Sequence, residues 1–172
     1  MDHSSSDEHR RLAAAQRGPI SVALVTVSDS RTRESDENGR YLRRRIEDAG
    51  HHVSSYALVK DEPSQVLEAL DDALSLDARI VLFNGGTGIS RRDNTHDAIS
   101  SRLQKLRPGF GELFRMLSWD EVGPAAMLSR AIAGVYEGVV VVSVPGSPAA
   151  VRLAWEKLLE PELEHLAWEI GR

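Results

Sequence analysis

Cysteine is absent from all 172 residues, which excludes disulfides, thiolate metal sites and a cysteine nucleophile. No apolar run approaches the length of a membrane span, and the N-terminus lacks the apolar core of a signal peptide. A cytoplasmic protein with no membrane partner is expected. Basic excess is missing as well: the formal net charge is -5, so no nucleic-acid partner is expected. Local basic clusters remain. Arg43-Arg44-Arg45 reads as a solvated helix face, and Arg91-Arg92 as one ligand-facing and one solvated side chain. His51-His52 has no partner at metal-ligand spacing, and nothing places a histidine beside a particular serine. There is also no internal repeat and no dividing linker. With 41% hydrophobic and 27% charged residues, the chain suits one globular domain over 19–172 behind a polar tail, 1–18, with a helical turn at 11–16.

What is present is an alternation of β-branched runs and amphipathic stretches. Strands are expected over 20–27, 53–59, 80–83 and 139–144. Helices are expected over 36–49, closed by Gly50, and from Pro63, with Val66, Leu67, Leu70 and Leu74 on one face. Another is expected over 95–106. Pro108-Gly109-Phe110-Gly111 reads as a tight loop, followed by short helices over 112–117 and 125–133. Ser147 can cap a last helix from Pro148, which Pro161 interrupts. The pattern predicts an α/β fold: a three-layer sandwich with a mainly parallel sheet and helices on both faces.

In such a sheet, ligands sit beyond the carboxyl ends of the strands. The segments at those ends are Ser28-Asp29-Ser30, Lys60-Asp61-Glu62, the loop 85–93 and Pro145-Gly146-Ser147. Gly85, Gly86 and Gly88, around Thr87, let the backbone turn sharply and let a phosphate approach its N–H groups, with a helix N-terminus behind. This is not a P-loop, because no Gly-Lys-Ser/Thr follows. Nor is it a dinucleotide fingerprint, whose third glycine would fall at Arg91; that argues against a nicotinamide-dependent Rossmann enzyme. Carboxylates beside a phosphate loop make sense with Mg²⁺ between them, and Asp61 and Asp93 are the best candidates. The plainer readings are helix caps for these two and turn residues for Ser28 and Asp29.

Val25-Thr26-Val27-Ser28-Asp29-Ser30-Arg31-Thr32, Val59-Lys60-Asp61-Glu62, the loop from Asn84 to Asp93, Pro108-Gly109-Phe110-Gly111-Glu112, Met127-Leu128-Ser129-Arg130-Ala131 and Pro145-Gly146-Ser147 occur in one order. In these stretches, which span 22–170, the chain closely resembles the MoaB/Mog family of molybdenum cofactor biosynthesis proteins. The MoaB branch is nearest, and the plant and animal molybdopterin-binding G domains are related. The resemblance implies a molybdopterin-binding-like fold and molybdopterin adenylyltransferase activity, with ATP and molybdopterin as substrates. The terminal phosphate of molybdopterin would attack the α-phosphate of Mg-ATP and release pyrophosphate.

By motif position, Asp61 and Asp93 would be the Mg²⁺-binding, catalytic carboxylates. Gly85, Gly86, Thr87 and Gly88 would hold phosphates, and Ser28 and Asp29 would line the pocket. Ser129 would touch molybdopterin, while Pro145 and Gly146 would border the nucleotide. A homotrimer or homohexamer is implied. The alternative is a non-catalytic molybdopterin-binding scaffold of the same pathway. One departure stands out: Thr95 is followed by His96-Asp97 where the family commonly has Pro-Glu. The carboxylate is kept, one methylene shorter.

Overall fold

A computed structural model of the chain describes residues 18–171, so all of the expected N-terminal tail except Gly18 lies outside the described residues. Six strands form one sheet: β1 (Ser21–Val27), β2 (His52–Val59), β3 (Ile80–Asn84), β4 (Lys105–Leu106), β5 (Ile132–Tyr136) and β6 (Val139–Val144). Their spatial order is β2-β1-β3-β6-β5-β4. β2, β1, β3 and β6 run parallel, whereas β5 pairs antiparallel with β6 and with β4.

The helices are α1 (Glu37–Asp48), α2 (Pro63–Ser75), α3 (Thr95–Arg102), α4 (Pro108–Val122), α5 (Pro148–Ala154) and α6 (Leu163–Ile170). The two-residue period of the strands sorts the core into two layers. Val22, Leu24, Leu82, Val140 and Val142 pack with Leu42 and Ile46 of α1, Phe114 of α4, Val151 of α5 and Leu163 of α6. Ala23, Val25, Val81, Phe83 and Val141 face the other way, onto Val66 and Leu70 of α2 and Ile99 of α3. The expected three-layer sandwich is what forms.

Local chemistry sets several boundaries. Asp36 caps α1 by accepting from the Gly39 N–H, and Ser147 caps α5 by accepting from Ala150. Pro161 sits in a short 3-10 turn that separates α5 and its π-helical extension from α6.

Three expectations are corrected. The helix expected over 95–106 ends at Arg102, because Gln104 N–H and Arg107 N–H donate to Val135 O and Ala133 O, drawing β4 onto the sheet edge. Residues 108–111 are no loop but the first turn of the 15-residue α4, with Pro108 at its start. The helix expected over 125–133 is a 3-10 segment, Gly123–Leu128, and then β5. β5 returns to β6 through Glu137 and Gly138, both at positive φ, which suits a tight hairpin.

Candidate functional site

β1 pairs with β2 on one side and β3 on the other, so the chain reverses its direction of travel across the sheet between β1 and β3. That switch point leaves a crevice at the strand carboxyl ends. There a cavity of about 540 Å³ is bordered by Ser28 and Arg31 after β1, Gly85 to Gly88 and Asp93 after β3, and Pro145 to Ser147 after β6. Ser118 and Glu121 of α4, together with Ser129, close another wall.

Glycine is required where the strand ends meet. Gly85 has φ +106°, and a Cβ there would lie 2.1 Å from Val27 O. Gly86 has φ +66°, and its Cβ would meet Thr95 Oγ1 at 2.1 Å and Asp61 Oδ2 at 2.7 Å. A Cβ on Gly88 would fall 2.5 Å from Asp93 Oδ2. The loop therefore lies against both carboxylates, Asp61 at Gly86 and Asp93 at Gly88. Gly85 N–H is spent on Val144 O, but the N–H groups of Gly86, Thr87, Gly88 and Ile89 donate to no protein acceptor among the described residues. Unpaired donors on a glycine turn form a nest for an anion.

Asp61 is buried. Its Oδ1 accepts from Asn94 N–H at 3.1 Å and Thr95 Oγ1 at 3.0 Å, at the start of α3 rather than of α2. Burial pushes its carboxyl above the usual range, and the Asp93 and Asp29 carboxylates add to the rise, while those two hydrogen bonds offset part of it. Asp93 closes its own turn, its Oδ2 accepting from Ser90 N–H at 2.8 Å.

The model of the probable molybdopterin binding domain family matches residues 23–165. Molybdenum cofactor biosynthesis protein B of Bacillus cereus is 46% identical over 98% of this chain and 99% of its own length. Its Bacillus subtilis counterpart is 48% identical over 89% of this chain and 91% of its own length. The chain belongs to the MoaB family. A crystal structure of molybdenum cofactor biosynthesis protein B superposes with a TM-score of 0.87 at 47% identity, covering 90% of this chain and 97% of that one. The tungsten cofactor synthesizing protein MoaB from Pyrococcus furiosus gives a TM-score of 0.83 at 34% identity, over 91% of this chain and 99% of that one. Membership of this family makes the chain a molybdenum or tungsten cofactor biosynthesis protein.

Within this MoaB-family fold the sequence-predicted residues divide into two groups. Ser28, Gly85, Gly86, Thr87, Gly88, Asp93, Ser129, Pro145 and Gly146 border the cavity. Asp61 lies beneath the glycine loop, against Gly86. Asp29 also turns away from the cavity: Oδ1 accepts from Asp61 N–H, and Oδ2 pairs with Arg92 at 2.9 Å. Arg92 pairs with Asp29 and Arg91 is exposed, and neither borders the cavity. The arginine in the cavity is Arg31, whose Nη2 donates to Gly146 O at 3.1 Å.

Asn38 was also unforeseen. Buried, it donates to Asn84 Oδ1 at 2.9 Å and Gly146 O at 2.8 Å, and so ties α1 to the ends of β3 and β6. Its only sequence signal is a polar residue on the buried face of an amphipathic helix. At the helix N-terminus expected to face the anion, Thr95 N–H donates to Gly86 O and Asn94 N–H to Asp61.

Proposed function

We propose that this MoaB-family protein is a molybdopterin adenylyltransferase that transfers AMP from Mg-ATP to the terminal phosphate of molybdopterin in the cytoplasm. The observation that carries this reading is a glycine loop with unpaired N–H groups, lying against Asp61 and Asp93 at the edge of a cavity. An adenylyl transfer needs phosphates held in line and charge neutralised, more than covalent chemistry.

The residues present fit Mg²⁺. Asp61 Oδ2 and the Asp93 carboxylate lie against Gly86 and Gly88 of one loop, and hard carboxylate oxygens plus phosphate are what that ion takes. Asp61 and Asp93 would hold it, and when bound it would neutralise charge on the phosphates. The chain's own groups do the rest. The N–H groups of Gly86, Thr87 and Gly88 bind phosphate oxygens, and the Arg31 guanidinium offsets their charge. Ser28 Oγ, which accepts from Arg31 N–H at 3.1 Å, keeps its hydroxyl proton to donate to the ligand. Ser129, on the opposite wall, contacts the pterin, while Pro145 and Gly146, fixed by Asn38 and Arg31, border the nucleotide.

A second reading, a molybdopterin-binding scaffold without transfer, is favoured by one observation: Asp61 lies under the loop with Oδ1 already hydrogen-bonded twice. Calorimetry separates the two. The transferase binds Mg-ATP as well as molybdopterin; the scaffold binds the pterin and gives no heat with Mg-ATP.

A homotrimer or homohexamer is part of the proposal. Leu113, Met116, Trp119 and Val122 are exposed along α4, and Met127 and Leu128 beyond it. A continuous apolar face of this kind suits a subunit contact. Light scattering should give a mass of three or six chains; a monomer at micromolar concentration would contradict it.

A further inference from the structure

We infer that Arg130 is a positioning residue, a clamp that turns the carbonyls of the glycine loop to one side so that its N–H groups face a phosphate on the other. The inference rests on the reading that this loop takes phosphate. A guanidinium has five N–H donors in a fixed fork. Here each of its three nitrogens has an acceptor: Nε meets Thr87 O, Nη1 meets both oxygens of Asp97, and Nη2 meets Gly88 O and Asp93 O. Arg130 does not border the cavity. It acts on the loop, not on the substrate.

Peptide planarity supplies the consequence. In a trans peptide the C=O of one residue and the N–H of the next point in opposite directions, and no peptide among the described residues is cis. Holding Thr87 O and Gly88 O on Arg130 therefore directs the N–H groups of Gly88 and Ile89 away from it. Gly86 O is held likewise by Thr95 N–H at 3.1 Å, which orients Thr87 N–H. These are the donors that lack a protein acceptor. The nest is thus shaped before any anion arrives.

Asp97 aims the clamp. Its carboxylate sits 3.0 Å from Arg130 Nη1, and the guanidinium holds it below the ordinary carboxylate range, with His96 contributing. Asp97 is 69% exposed, so as an ion pair alone it would add little. Its value lies in fixing the plane of a side chain that touches three backbone carbonyls at once.

The test uses the full-length protein, with Mg-ATP titration and amide exchange read in parallel. Arg130→Lys keeps the charge but offers three donors for five acceptors, so Mg-ATP binding should weaken by about tenfold or more. Exchange at Ser90 and Asp93, whose amides close the loop turn, should quicken by about tenfold while β1 and β3 amides do not change. Asp97→Ala should give a smaller loss, absent when Arg130→Lys is already present, and Asp97→Glu should keep the affinity.

Unchanged binding and unchanged loop exchange in Arg130→Lys would overturn the clamp. If the unaltered protein bound no Mg-ATP, the transferase reading would fall and loop exchange alone would decide the clamp. If Arg130→Lys failed to fold, Asp97→Ala would decide it by the same two measurements, with wild-type values overturning it.

Discussion

Asp61→Asn and Asp93→Asn should each slow AMP transfer by about a hundredfold or more, the usual scale for removing one electrostatic partner of a phosphate transition state. The two should differ from typical buried-site mutants in leaving the fold standing. Asparagine at 61 keeps a side-chain oxygen to accept from Asn94 N–H and Thr95 Oγ1, and at 93 to accept from Ser90 N–H. At position 61 the change should even relieve the protein. Burial raises the folded pKa of Asp61 above its ordinary 3.8, so its charge costs stability in the folded state.

The sign follows from that shift. With no Mg²⁺ present, this cost is absent below pH 3.8 and grows as pH rises through the folded pKa, and Asp61→Asn removes that slope. A thermal melt at pH 7 in a chelator should therefore show Asp61→Asn melting at or above the wild-type temperature, while its transfer rate collapses. A variant that melts far lower would show that Asp61 is held for stability and not for chemistry.

Gly85→Ala is the second large effect, and it acts on the fold. The residue sits at φ +106°, and the added Cβ would lie 2.1 Å from Val27 O and 3.1 Å from Val27 C. Neither side can yield cheaply. Val27 is paired with Val59 of β2, and Gly85 N–H is bonded to Val144 O. Strain and overlap together should cost on the order of 3 kcal/mol, lowering the melting temperature by roughly 6–12 °C. Gly50→Ala is the matched control. Its φ is +83°, but nothing lies within 4 Å of the new Cβ, so only the conformational cost of about 1–2 kcal/mol applies. Equal losses in the two would mean that the close approach at Gly85 does not matter.

The parallel core was legible because its strands are mostly apolar runs ending in polar loops, and the start of α5 because Ser147 has the chemistry of a cap. β5 was not. Its first residues, Ile132 and Ala133, follow directly on the alanines at 125, 126 and 131 and read as the end of a helix, and the segment becomes a strand because the turn at Glu137-Gly138 lays it on β6. Gly109 and Gly111 read as loop-formers. Yet Gly111 lies inside α4, where a Cβ would come within 2.6 Å of Ala131 O, so this glycine serves close packing.

The site divides the same way. Residues whose unpaired backbone N–H groups border the cavity announced themselves as glycines at a strand end. Arg130 and Asn38 did not, because their acceptors are main-chain oxygens of residues far along the chain, which no local pattern records. Asp97 was visible only as a departure from the family's Pro-Glu, and its partner gives that departure a physical meaning.

The most direct measurement follows the phosphorus. ATP labelled at the α-phosphate is incubated with molybdopterin and the protein, with and without Mg²⁺, and the pterin fraction is isolated. Label should appear on the pterin together with an equivalent of pyrophosphate, only when Mg²⁺ is present and only with Asp61 and Asp93 intact. Molybdopterin that binds tightly yet stays unlabelled would contradict the proposed transfer.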